Sequence, residues 1–493
     1  MKSAAAGRRA SAGGSGPARR LQVYVARLFG YSCPVRRFFF QDFLSRFDSH
    51  GILACECGRT HRIDTRTVFA EPGALEDSAA AFCGEFGSAA RLWVLSDENT
   101  EEAAGKKWKA EAGASHLTSR ILAARPRPAP TAELVAALAR EMSAEPPDLL
   151  VSVGGGVLSD VVKRLSLLLD RPNWCVATAA SVDAYSSATA AIDVNGFHNA
   201  LPANVSRTIV ADPDVIAGAP RVMFLAGLGD LLAKFIAHLD WNLSRIMTGE
   251  YYCPVIATVA LESARSALSA ARELRGDPRE AVRTLTDAAL SSGFAMQALT
   301  ASRSAASAEH TMAHLWETPL TGLSTPLDFH GILVGAASRM VLHTYRAFYA
   351  RLEEYEPDVP GRLAAWEAEP PWQENLDPGL APYGAKVREE MSGRVFTRGM
   401  LAQRLETFRV ARTEILARGR LMLAELGTAV ETLESMGYPF APRELGISRE
   451  LLLLPFRNVR LLRRRYSGFD LGWELGLENM LREEGERYAD RVD

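Results

Sequence analysis

From about residue 66 the chain alternates short apolar runs with segments whose apolar residues recur at helical spacing. RLWVLSD (91–97) is an apolar run ending in a carboxylate, DLLVSV (148–153) is a continuous one, and WCVATAA (174–180) is another. Between them ELVAALAREM (133–142) and VLSDVVKRLSLLL (157–169) carry apolar residues at the i, i+3, i+4 spacing of amphipathic helices. Continuous apolar strands alternating with such helices predict a parallel sheet covered on both faces.

After about 221 the pattern changes. LGDLLAKFIAHLDWNLSRI, YYCPVIATVALESARSAL and AVRTLTDAALSSGFAMQAL all read as helices, and strand-like runs nearly vanish. The expected organisation is a Rossmann-like α/β domain over 66–220 and an all-helical domain over 221–493. A Pro-, Glu- and Trp-rich stretch at 356–384 reads as a surface insertion in the helical part. Residues 1–20 are small, basic and Gly-rich and predict a disordered tail; residues 21–65 form an extension.

Composition narrows the function classes. Hydrophobic residues make up 47% and charged residues 23% of the 493, the net charge is -3, and the sequence pI is about 6.4. That charge balance gives no electrostatic case for nucleic acid or an anionic membrane. With no run of eighteen apolar residues and no secretory h-region, a cytoplasmic protein without a membrane span is expected. Six cysteines in so long a chain do not make a disulfide framework. CECGRTH places Cys55, Cys57 and His61 within seven residues, which invites a zinc reading with Cys33 as a possible fourth ligand. The spacing is C-x-C, however, and the plainer reading is a reduced turn between strands.

Several stretches carry chemistry. In VSVGGGVLSD a buried strand runs into Gly154, Gly155 and Gly156 and then a helix, an arrangement that lets backbone N–H groups approach a pyrophosphate; a tight turn is the alternative. Asp97, at a strand end, suits a ribose hydroxyl and disfavours a 2′-phosphate, or else caps the next helix. TAASVDAYSS (178–187) is a small, hydroxyl-rich loop carrying Asp183. In the helical half, AEHTMAHLWE puts His310 and His314 one turn apart, DFHGILVG contributes His330, and LAGLGDLLAK contributes Asp230. One carboxylate with two or three imidazoles suits a borderline divalent cation. The intervening Thr-Met-Ala lacks the glutamate of a zinc-protease helix.

Taken in order, GGG, TAAS-x-D, AD-x-D-x-x-x-x-AP (211–220), GLGD-x-x-AK, DW, EH-x-x-x-H and HG resemble the glycerol-1-phosphate dehydrogenase family. That family belongs with the iron-type alcohol dehydrogenases, glycerol dehydrogenase and dehydroquinate synthase. The resemblance covers about 66–350 and, weakly, RNVRLLRRRYSGFDLGWELG. It implies a dehydroquinate synthase-like fold, a homodimer, NAD or NADP as cofactor, and one divalent metal, zinc before nickel or iron. Gly154, Gly155, Gly156, Val157 and Leu158 would hold the pyrophosphate. Thr178, Ala179, Ala180, Ser181 and Ser187 would meet the nicotinamide half. Asp183 would bind substrate; Asp230, His310 and His330 would hold the metal; Asp230 would also touch substrate, and His314 would face it as a proton relay. The implied reaction is reduction of dihydroxyacetone phosphate to sn-glycerol 1-phosphate, or of an unphosphorylated polyol's ketone; a lyase or a non-catalytic scaffold are the remote alternatives. Relatives often carry a lysine after the TAAS-x-D loop, where this chain reads DVNGFHNALP with His198.

Overall fold

The computed structural model describes residues 22–24, 39–274, 276–318, 329–369, 372–373, 376–392, 394 and 396–492. The tail at 1–20 and Cys33 lie outside them. Eleven strands are present among the described residues: β1 Gln22–Tyr24, β2 Ile52–Ala54, β3 Thr60–Arg62, β4 Thr67–Phe69, β5 Arg91–Asp97, β6 His116–Leu122, β7 Leu149–Gly154, β8 Asn173–Ala177, β9 Thr189–Val194, β10 Phe197–Pro202 and β11 Thr208–Val210. Seven form one sheet in the order β1-β4-β11-β8-β7-β5-β6, with every pairing parallel. β2–β3 and β9–β10 are separate antiparallel hairpins.

Alternation along the strands assigns the two faces. Leu92 and Val94, Leu149, Val151 and Val153, and Trp174 and Val176 share a core with Phe82 and Trp108. Trp93, Leu95 and Leu150 point the other way, to Val135 and Leu138 of helix Ala132–Met142 and to Val161, Val162 and Leu165 of helix Gly156–Leu169. Both faces are covered, as continuous apolar strands require. β6, by contrast, is an exposed edge strand.

The chain leaves β5 toward β6, then returns to place β7 on the other side of β5. The segments after β5 and after β7 cover opposite faces, so their C-terminal ends flank a crevice where the winding reverses. Open parallel sheets bind ligands at such a point. Asp97 ends β5 and Gly154 ends β7 there.

Beyond Val210 no strand occurs among the described residues, and helices form a second body against the sheet. By length and composition Arg221–Thr248 could cross a bilayer, yet 83% of its most apolar window is buried inside the protein, as befits a core helix. The 356–384 stretch is anchored as well as exposed. Helix Val359–Ala368 buries Leu363, and a 3₁₀ turn at Pro378–Tyr383 buries Leu380 and Tyr383.

Candidate active site

Close helix packing assembles the site. Helix Arg221–Leu232 carries Gly227 and Gly229; helix His330–Glu353 begins with His330 and Gly331. A methyl group at 229 would overlap the carbonyl oxygen of Gly331 and the hydroxyl of Tyr438, and one at 331 would overlap the carbonyl oxygen of Ala226. Only hydrogen at these positions lets the backbones meet, and that contact sets Asp230 beside His330. Tyr438 donates from its hydroxyl to Gly331 O at 2.7 Å and fastens the contact. Gly229→Ala is expected to cost about 1–3 kcal/mol by overpacking and to lower divalent-metal content. Denaturant melts with elemental analysis would check this, and wild-type values for both would refute the packing argument.

Ligand atoms of Asp230, His310 and His330 lie within 4.8 Å of one another. Asp230 Oδ1 is 3.4 Å from His310 Nε2. Each imidazole is fixed from behind by a carboxylate: His310 Nδ1 lies 2.8 Å from Glu309 Oε1, and His330 Nδ1 lies 2.7 Å from Glu317 Oε1. His314 Nδ1 lies 3.1 Å from the other oxygen, Glu317 Oε2. Burial alone would raise Glu317's pKa, but His330 and His314 outweigh it and hold the carboxyl well below its ordinary range. An ionised carboxylate only accepts, so His314 and His330 donate from Nδ1. Nε2 of His330 is thereby turned toward Asp230 and His310. This carboxylate–histidine arrangement is the one that orients metal-binding imidazoles, and the donor set of one carboxylate and two Nε2 atoms fits a borderline divalent cation.

Lys234, wholly buried, bridges Asp183 Oδ2 at 2.9 Å and Asp230 Oδ1 at 3.1 Å. Burial opposes ionisation of both Asp230 and Lys234. The mutual attraction prevails, aided by the histidines, and holds Asp230 well below and Lys234 above their ordinary values. Asp230 Oδ2 accepts from the Asp183 backbone N–H at 3.0 Å, and Ser292 Oγ donates to Asp183 Oδ2 at 2.6 Å. The TAAS-x-D loop of the sheet body is thus tied to the helical body at Asp230.

His314 stacks on His330 with ring centroids 5.1 Å apart and on His198 at 4.8 Å. Burial pushes His314's pKa well below the ordinary value, with Arg463 and His198 adding to the effect. His198 comes from the β9–β10 hairpin, where it faces its cross-strand partner Asp193, Nδ1 to Oδ1 at 2.8 Å.

At the sheet end, Gly154 has φ +156 and packs directly on Leu158. Gly155 precedes helix Gly156–Leu169, which has no side-chain N-cap; an added Cβ there would meet only Met223 Cε, at 3.8 Å. Gly155 is therefore small without any need of internal packing, beside free helix N–H groups. Val157 is half-buried, and the Leu158 side chain belongs to the core. Thr178, Ala179, Ala180 and Ser181 follow β8 on the same edge and are largely buried; Thr178 N–H donates to Gly154 O at 3.3 Å.

Two of the sequence-predicted cofactor positions make contacts within the protein. The Ser187 hydroxyl is bonded to the Ala184 and Thr189 carbonyls and to Lys163, whose buried ammonium pairs with Asp160 and staples the loop to the helix. Asp97 forms a capping box with Thr100, so Oδ1 already accepts from the Thr100 N–H at 2.9 Å. Glu309 and Glu317 were missed, although both stand inside AEHTMAHLWE; a carboxylate next to, or three residues from, a histidine on a helix carries no distinctive pattern.

An open parallel-sheet body with a glycine turn at its winding reversal packs against a helical body that carries an Asp/His/His cluster, and open parallel sheets bind ligands at such a point. Residues 69–220 match the family described as iron-containing alcohol dehydrogenase. Among curated proteins, the chain is 31% identical over 208 residues to glycerol-1-phosphate dehydrogenase [NAD(P)+] of Geobacillus thermodenitrificans, covering 42% of this chain and 52% of that one. The Sulfolobus acidocaldarius protein of that name is 36% identical over 203 residues (41% and 57% covered), and the Bacillus subtilis one 28% over 324 residues (66% and 69%). The chain thus spans about half the length of the first of these relatives. In fold it is similar to a probable glycerol dehydrogenase from Sinorhizobium meliloti, with TM-score 0.55, 17% identity, and 85% and 97% of the two chains covered. Glycerol dehydrogenase from Schizosaccharomyces pombe gives TM-score 0.54 at 16% identity, covering 87% and 91%. Residues 69–220 are thus similar to iron-containing alcohol dehydrogenases, and the curated relatives named here are glycerol-1-phosphate dehydrogenases.

Proposed function

We propose that the protein is an NAD(P)-dependent, metal-dependent oxidoreductase that interconverts dihydroxyacetone phosphate and sn-glycerol 1-phosphate. The observation that carries the reading is the convergence of Asp230, His310 and His330, each imidazole oriented by its own carboxylate contact, beside the glycine-turn crevice. The N-terminus of helix Gly156–Leu169 and the Gly155 backbone bind the cofactor's pyrophosphate. Asp230, His310 and His330 would hold a divalent cation, which would supply Lewis acidity toward the substrate oxygen, and a bound nicotinamide would supply hydride.

The chain's own groups do the rest. Asp183 uses Oδ2 for Lys234 and Ser292, which leaves Oδ1 to a substrate hydroxyl. His314 is neutral, with Nδ1 held by Glu317 and Nε2 carrying the lone pair. It takes the alcohol proton in oxidation and returns it in reduction, its transient charge balanced by Glu317. Arg463 lies close enough to His314 and Glu317 to act on both, and it supplies positive charge for a phosphate.

Purified protein should oxidise NADH or NADPH with dihydroxyacetone phosphate and lose that activity on chelation. Arg463→Met should raise KM for the phosphorylated ketose at least about tenfold, the scale of one lost charged hydrogen bond, while leaving turnover of unphosphorylated dihydroxyacetone unchanged. Equal loss on both substrates would move the reading to an unphosphorylated polyol. No turnover of either would end it.

A further inference from the structure

A second cluster of ligand-type side chains lies outside this site. The β2–β3 hairpin turns through Cys55–Arg59, with Gly58 at φ +83 in the left-handed region the turn needs. The turn carries Cys55 and Cys57, and β3 carries His61. Cys253, fully buried, stands at the N-cap of helix Pro254–Glu273. The ligand atoms of these four residues all lie within 4.8 Å of one another. Cys55 Sγ is 3.7 Å from Cys253 Sγ, and Cys57 Sγ is 3.3 Å from His61 Nε2. None of the three cysteines is in a disulfide. A tetrahedron with Zn–S bonds of about 2.3 Å and a Zn–N bond of about 2.0 Å has S–S edges of about 3.8 Å and S–N edges of about 3.5 Å.

We propose that Cys55, Cys57, His61 and Cys253 form a structural zinc site that clamps the N-terminal hairpin onto the helical body. The surroundings are those of a metal centre. His61 Nδ1 is 3.0 Å from the Ala298 carbonyl at the end of helix Pro278–Leu299, so Nδ1 carries the proton and Nε2 is the free donor. The Arg59 N–H donates to the Cys57 sulfur, and the Ile256 N–H donates to the Cys253 sulfur. Tyr251 Oη sits 3.1 Å from Cys57 Sγ, and the Arg59 guanidinium lies 3.5 Å above the Tyr251 ring. Three thiolates around one dication leave a single negative charge, which these N–H groups and Arg59 compensate. Coordination releases the thiol protons and involves no redox step. All four positions of the tetrahedron are filled by protein, so the role is structural. Cys253, 198 residues from Cys55, is the ligand that C-x-C-G-x-x-H alone lacks.

The test uses the full chain purified under reducing conditions, carrying His310→Ala so that the Asp230 site holds no ion. About one equivalent of zinc should remain per chain, with X-ray absorption dominated by sulfur. Cobalt exchanged into this protein should show a thiolate-to-cobalt charge-transfer band. Adding Cys253→Ser should lower metal content at least tenfold; should that variant fail to fold, the cobalt spectrum of the parent decides alone. A metal-free His310→Ala protein that takes up no cobalt with thiolate character overturns the proposal, as does a Cys55–Cys253 disulfide found by thiol titration. Neither result depends on catalytic activity, so the site stands or falls apart from the proposed reaction.

Discussion

Replacing His310 by alanine is expected to strip the divalent ion from the crevice and lower kcat/KM by at least about a thousandfold, since Lewis-acid stabilisation is worth several kcal/mol and each 1.36 kcal/mol is tenfold. His314→Ala should instead keep the ion and lose about a hundredfold, the scale of one general acid–base group. The structure separates the two residues by what holds them. His310 has Nδ1 on Glu309 and Nε2 3.4 Å from Asp230, whereas His314 has Nδ1 on Glu317 and rings on either side, His198 and His330. Elemental analysis beside steady-state kinetics distinguishes the roles. An ion released by His314→Ala would reverse the assignment. So would an ion retained by His310→Ala in the crevice, recognisable by nitrogen and oxygen rather than sulfur scattering.

What the sequence made legible follows from what burial enforces. β5, β7 and β8 are covered on both faces, so their apolar runs are continuous and stand out; the helix after the glycines shows its period because one face meets Leu150 and Leu95. β6 lies at the sheet edge with its side chains in solvent, and nothing selects an apolar pattern there. The β9–β10 hairpin is half-buried and shows no clean alternation, so no strand was read there and the cross-strand pair that places His198 against His314 was invisible. The Asp/His/His cluster was found through order of motifs, whereas its assembly rests on Gly229, Gly331 and Tyr438, whose meaning exists only once two helices touch. Cys253 likewise gains its partners through tertiary packing, and no local spacing announces it.

Lys234 provides a second large expected effect, and its sign depends on the bound ion. The ammonium is fully buried between Asp183 and Asp230. Lys234→Met leaves two carboxylates facing each other without their cation, and breaking a buried pair from one side costs about 3–5 kcal/mol. In the metal-loaded protein the ion itself neutralises Asp230, so much of that loss should be recovered. By thermodynamic linkage, a substitution that destabilises the metal-free form more than the loaded form must tighten metal binding by the same free energy. Lys234→Met should therefore be markedly less stable after chelation, close to wild type with metal, and at least about tenfold tighter in metal affinity, equivalent to about 1.4 kcal/mol. Urea melts with and without chelator, paired with a competitive metal titration, measure both sides of the cycle. Equal destabilisation in the two forms, with unchanged affinity, would show that Lys234 braces the Asp183 loop without sensing the ion beside Asp230.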